Sequence, residues 1–280
     1  MSEWNFQDRV QVSFASNGVA EVALIRADKM NALDTAMFEA LLQAGECLAG
    51  LHDLRVVVLH GLGRAFCAGL DMGNFAKMAQ GDALSSLSDL VPRTHGIANH
   101  AQQVVWQWRA LPVPVVAAVH GVAFGGGLQL ALGADIRYAA PDTRLSVLEI
   151  QWGLVPDMAG IALLRELVRA DVARELVYSG RILQADEACQ LGLVTSVHAD
   201  PLAQARAFAQ QVAARNPDAV RADKRLLNAS TDADEAALLL AESREQQVIL
   251  GSANQREAVR AHQEKRAPVF SSVASPFAKP

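Results

Sequence analysis

Apolar and polar positions follow a strand-like pattern at the start of the chain, and helical spacing takes over towards its end. Residues 10–16 and 19–25 are short β-rich runs split by Asn17-Gly18, the two-residue signature of a hairpin turn. Asp34 or Thr35 then stands where a helix cap belongs. Met37, Leu41, Leu42 and Leu48 recur near helical spacing, so a helix is predicted to about residue 49. Residues 55–60 (RVVVLH) and 113–119 are continuous apolar runs of strand length, as expected for strands buried on both faces. Between them, residues 72–92 mix polar and apolar positions without a period and are expected to be mobile, and 94–111 reads as a helix closing on Pro112 and Pro114. Two further strands are expected at 135–139 and 144–147. From about Met158 the pattern turns helical, broken by a strand near 194–197, with helices over 201–215, 217–229 and 234–263. The last dozen residues carry Pro268, Pro276 and Pro280 and read as a frayed or partner-bound tail. The prediction is an α/β core over residues 1–200 and a helical C-terminal region over 201–280.

Composition narrows the function. The 280 residues are 51% hydrophobic and 20% charged, enough to bury a large core without a disulfide or metal. The formal charge is −5 and no basic run occurs, which disfavours nucleic acid as a partner. Cys47, Cys67 and Cys189 are scattered without CxxC spacing, as expected of reduced thiols in a cytoplasmic protein. The first six residues do not read as a signal peptide, and the apolar stretch 111–134 is broken by two prolines and a glycine triplet, so no membrane span is expected.

Chemistry concentrates at two strand exits. Ala65-Phe66-Cys67-Ala68-Gly69-Leu70-Asp71 follows one buried strand, and Gly125-Gly126-Gly127 follows the other and opens a helix. Small residues let backbone N–H groups face a ligand, and a helix N-terminus adds positive partial charge. Converging on one point, the two exits would form an oxyanion hole; the same glycines also suit tight packing. A Rossmann dinucleotide site fits poorly, because neither glycine cluster has G-x-G-x-x-G spacing. The seven histidines show no metal-ligand pattern, and Ser146 lacks a G-x-S-x-G setting. Trp106 and Trp108 suit core or acyl-pocket packing, and the Cys67 side chain suits a small buried hydrophobe.

Three motifs in register, RADKMNAL at 26–33, GRAFCAGLD at 63–71 and PVPVVAAVHGVAFGGG at 112–127, resemble the enoyl-CoA hydratase/isomerase (crotonase) superfamily over nearly the whole chain. The resemblance implies a spiral of β-β-α units, a helical trimerisation region giving a homotrimer or dimer of trimers, and an acyl-CoA thioester as substrate, with coenzyme A entering only as part of that substrate. It also implies that the N–H groups of Leu70 and Gly126 hold the thioester oxygen. Arg26 and Lys29, with the backbone of Ala65, Cys67 and Ala68, would line the CoA moiety.

The family's hydratases use two glutamates to split water. The first of these positions holds Gln129 here, and the second holds Glu149 in SVLEI. Glutamine cannot act as a general base, although it can orient a water. A second acid, Asp157 in GLVPD, follows across a Gly/Pro turn; it is also placed to cap a helix starting near 158. Dienoyl-CoA isomerases of the superfamily carry acids at both the Glu149 and Asp157 positions, and GLDM at 69–72 and ADIRYAA at 134–140 also resemble them, although their third acid would fall at position 129, where this chain has Gln. Glu149 and Asp157 are therefore expected to transfer protons in a double-bond shift, for which the pKa values of the pair should lie apart. The alternatives are a 2-enoyl-CoA hydratase using Glu149 with a water held by Gln129, and a non-catalytic CoA-binding oligomer.

Overall fold

The computed structural model describes residues 1–74 and 89–272; most of the segment expected to be mobile, and the last eight residues, lie outside the described residues. The strands are β1 (Ser2–Phe6), β2 (Val10–Phe14), β3 (Val19–Leu24), β4 (Val56–Gly61), β5 (Val115–Val119), β6 (Val122–Phe124), β7 (Ile136–Ala139), β8 (Arg144–Ser146), β9 (Leu183–Gln184) and β10 (Ser196–Val197). The α-helices are α1 (Thr35–Ala49), α2 (His100–Ala110), α3 (Gly126–Leu132), α4 (Gly160–Leu167), α5 (Ala170–Ser179), α6 (Ala185–Leu191), α7 (Pro201–Ala213), α8 (Pro217–Ala229), α9 (Glu235–Ile249) and α10 (Ala253–Gln263).

The larger sheet has the order β1-β2-β3-β4-β5-β7-β10, antiparallel from β1 to β3 and parallel from there on. A smaller sheet, β6-β8-β9, carries the site-bearing loops. The continuous apolar run of β4 has a direct cause: Val57 and Leu59 join the main core with α1 and α2, while Val56 and Val58 face Ala205, Ala209 and Ala213 of α7. Those alanines bring α7 close against the sheet, so the helix that begins just past residue 200 packs on the core strands.

Local chemistry sets the boundaries. Asp34 caps α1 by accepting from the Met37 N–H at 2.8 Å, as the sequence predicts. The helix expected from residue 94 begins only at His100, where Asn99 and Gln102 form a reciprocal capping box; residues 95–98 instead close a bridged turn containing Gly96. The single helix expected over 234–263 is two, separated at Leu250-Gly251-Ser252, with Gly251 at φ +74° and Ser252 capping α10. The described part of the C-terminal tail folds back on the chain: Arg55 donates to the Phe270 carbonyl and Asn254 exchanges hydrogen bonds with Ser271. No helix among the described residues is long and apolar enough to cross a membrane.

Candidate active site

Two backbone turns meet above the buried parallel strands. Asn31, fully buried at φ +54°, donates its amide Nδ2 to the carbonyls of Leu62, Ala65 and Phe66, gathering the chain after β4 into a tight loop. Cys67 then pairs with β6, donating to the Val122 carbonyl and accepting from the Phe124 N–H. Here glycine is required. A Cβ on Gly69 (φ +89°) would lie 2.5 Å from the Phe124 carbonyl oxygen, and one on Gly127 would lie 2.2 Å from the Cys67 carbonyl oxygen. Gly125 adopts φ +50°, ψ −121°, a conformation essentially reserved for glycine.

This contact presents two N–H groups. Leu33 donates to the Gly69 carbonyl and accepts from the Asp71 N–H, which leaves the intervening Leu70 N–H outside that pairing. Gly126 is the first residue of α3, where a backbone N–H has no partner within the helix. Both residues are partly exposed, and neither N–H has an acceptor among the described residues. The Cβ position of Gly69, next to Leu70, lies 3.7 Å from the Gly126 nitrogen, so the two strand exits do converge. Leu33 and Met158 close over Gly126, where an added Cβ would come within about 3 Å of both side chains.

The acids approach from the β8 side. Glu149 opens a short 3-10 turn (Glu149–Trp152) that Gly153 closes in a left-handed conformation. Its carboxylate is buried and makes no salt bridge among the described residues, and Oε1 lies 3.2 Å from where a Gly125 Cβ would stand. Gln129 of α3 donates Nε2 to Glu149 Oε1 at 2.6 Å, while the Gln129 Oε1 accepts from the backbone N–H groups of Met158 (2.8 Å) and Gly160 (2.9 Å). Glu149 Oε2 is buried without a hydrogen-bond partner among the described residues. Burial raises the Glu149 pKa above the ordinary carboxylate value, opposed in part by the backbone N–H groups of Glu149 and Leu148 and by the Gln129 hydrogen bond, and reinforced by the charge of Asp157. Burial also raises Asp157.

Asp157 does not cap α4. That helix starts at Gly160 behind a left-handed Ala159 with no side-chain cap, and the expected capping is supplied from across the fold by the Gln129 carboxamide. The residues expected to line CoA divide. Lys29 is exposed and Ala68 partly so. Ala65 and Cys67 are fully buried with backbone groups engaged, and the Cys67 thiol donates to the Asn31 carbonyl with its pKa pushed up to about 12 by burial. Arg26 turns inward: its guanidinium pairs with Asp71 at 2.6 Å and Asp34 at 3.4 Å and donates to the Ala32 carbonyl. Asp71 was part of the GLDM string, yet its pairing with Arg26, 45 residues away, leaves no trace in local sequence. Trp108 is a fully buried core residue, Trp106 packs partly buried beside it, and no cluster of metal-ligating side chains occurs among the described residues.

Comparison with known proteins bears on the family and the fold. The enoyl-CoA hydratase/isomerase family model covers residues 15–273. The chain is 30% identical over 264 residues to the enoyl-CoA isomerase/hydratase fer4 of Mycosarcoma maydis, covering 90% of this chain and 92% of that one. It is 31% identical over 232 residues to the mitochondrial Delta(3,5)-Delta(2,4)-dienoyl-CoA isomerase of Rattus norvegicus, covering 80% of this chain and 69% of that one. Among solved structures, an enoyl-CoA hydratase from Mycobacterium tuberculosis H37Rv superimposes with a TM-score of 0.82 at 28% identity, covering 95% of this chain and 100% of that one.

Proposed function

The chain belongs to the enoyl-CoA hydratase/isomerase family, and we propose that within it the protein shifts double bonds in an enoyl- or dienoyl-CoA. The observation that carries this reading is the environment of Glu149. The position that would supply a second glutamate for splitting water holds Gln129, whose oxygen is occupied by Met158 and Gly160; the next acid whose charge reaches Glu149 is Asp157.

The acyl-CoA thioester oxygen would accept hydrogen bonds from the Leu70 and Gly126 N–H groups, which hold the negative charge that develops when a C2 proton leaves. Donors of this kind are worth roughly 3–4 kcal/mol of barrier each where they have been removed from comparable sites. In a 3,5-dienoyl-CoA, one carboxyl of the Glu149–Asp157 pair takes the C2 proton, the double bonds move to the 2 and 4 positions, and the other carboxyl delivers a proton to C6. The pair must then hold one proton between its two members, and burial of both acids, which raises each pKa, favours that state over full ionisation. A 3-enoyl to 2-enoyl shift needs only one acid to carry the proton from C2 to C4. The exposure of Lys29 and the partial exposure of Ala68 support a role for both in lining the CoA moiety.

The deciding experiment offers purified protein 3,5-dienoyl-CoA and 2-enoyl-CoA in parallel and follows absorbance. A growing 2,4-dienoyl signal is expected, reduced roughly 10²- to 10⁴-fold in Glu149→Gln and in Asp157→Asn, the usual contribution of a positioned acid or base. Loss of the 2-enoyl absorbance instead would make the protein a hydratase, and Gln129→Glu should then increase that activity.

A further inference from the structure

Building on the reading of Glu149 as a proton-transfer group, we propose that Gln129 is its positioning residue. The Gln129 amide, locked by the Met158 and Gly160 N–H groups, holds Glu149 Oε1 and leaves Oε2 as the oxygen that carries the proton.

Hydrogen-bond chemistry dictates the orientation of the amide. Two backbone donors converge on one end of Gln129, and only the carbonyl oxygen can accept from both. The NH₂ end is thereby turned to Glu149, and it has no lone pair with which to accept a proton from the acid. Oε1 is thus held as an acceptor in both protonation states of Glu149, and a proton resides on Oε2. The same amide spans two elements, because Met158 directly follows Asp157 while Glu149 sits on the turn after β8. One side chain therefore fixes both the proton-bearing oxygen and the segment carrying the second acid. The fit is tight: Gln129 is 2% exposed, and a Cβ on Gly160 would lie 2.6 Å from its Oε1. Asp157 is a charged group whose field reaches Glu149, and no cation pairs with either carboxylate among the described residues.

Two variants test this, with readouts that do not depend on the substrate chosen. Gln129→Leu removes the amide, and Gly160→Ala keeps the amide but dislodges its oxygen. The carboxyl of Glu149 is followed by ¹³C NMR titration, assigned by its disappearance in Glu149→Gln, and amide hydrogen exchange is measured at residues 158 and 160. In both variants the Glu149 midpoint is expected to move upward, because a donor that favours the carboxylate is lost or displaced, and both amides should exchange faster. Turnover of 3,5-dienoyl-CoA should fall about 10- to 100-fold, the worth of a hydrogen bond to a charged group, with KM within about twofold of the parent. An unchanged Glu149 midpoint in folded protein overturns the positioning role, even where the parent isomerises dienoyl-CoA. A shifted midpoint in a protein that turns over no acyl-CoA supports the positioning and overturns the proton-transfer reading instead. Should Gln129→Leu fail to fold, Gly160→Ala carries the test.

Discussion

Glu149 places a stability cost where the chemistry needs a proton carrier. Its carboxyl is buried, and burial raises its pKa above the ordinary value of 4.5. The folded chain therefore binds this proton more tightly than the unfolded chain does, so stability falls as pH rises from the unfolded value through the folded one. Below the unfolded value the penalty is absent; above the folded value it is complete. Glu149→Gln removes the titration, and its carbonyl can still accept from Gln129 Nε2. The variant should melt above the parent at about pH 8 and converge with it near pH 4, since each 1 kcal/mol relieved raises Tm by roughly 2–4 °C in a chain of this size. Parallel melting curves across that range would show that the carboxyl bears no burial penalty. Asp157→Asn should behave in the same direction, because burial also raises Asp157.

The loop carrying Leu70 is held by an ion pair. Arg26 clamps Asp71, and the Leu33 backbone grips both Gly69 and Asp71, so the Leu70 N–H is aimed from either side. A clamp and a phosphate ligand predict different kinetics. Arg26→Gln should lower kcat on the acyl-CoA by about tenfold with little change in KM, and Asp71→Asn should reproduce the effect because it breaks the same partly buried pair. A raised, salt-sensitive KM in Arg26→Gln that Asp71→Asn does not share would return Arg26 to the CoA phosphates. These pairings also mark where the sequence stops being informative. Apolar runs located β2 to β5, and the Asp34 cap set the start of α1, because those signals are local. β6 and β9, of three and two residues, are too short to show a period, and β1 alternates only weakly because its side chains are exposed or half-exposed. Leu70, Gly126 and Glu149 were singled out because each sits in a compact motif of the sequence. The capping of the Met158–Gly160 turn by Gln129 joins residues 29 and 31 positions apart, and no spacing rule reaches that far.

At the scale of the whole molecule, the described residues leave apolar surface that they do not cover among themselves. No residue of α9 is buried, although Leu239, Leu240 and Val248 lie on it, and Leu250 just beyond it is 58% exposed. α9 is tied to α8 by the Arg225–Glu245 pair, and the two helices border a cavity of about 770 Å³ shared with α1 and α2. A helix of this kind gains little from its own sequence in water, so its apolar side chains call for a partner. A second exposed set, Ile150, Leu154 and Val155, lies on the stretch that joins Glu149 to Asp157. The homotrimer or dimer of trimers implied by the family resemblance would supply the same partner for both, a further copy of this chain. Light scattering coupled to gel filtration should then report a mass of three or six chains, and the double variant Leu240→Glu, Val248→Glu should reduce it. If copies also brace the 150–155 segment, the dissociated variant should lose kcat more than affinity for the acyl-CoA, because the spacing of the two acids is no longer fixed. Val155→Glu separates the two surfaces: it should lower kcat while leaving contacts through α9 in place. A parent that is monomeric at micromolar concentration and fully active would mean that one copy fixes the acids alone, with the apolar residues of α9 left to some other role.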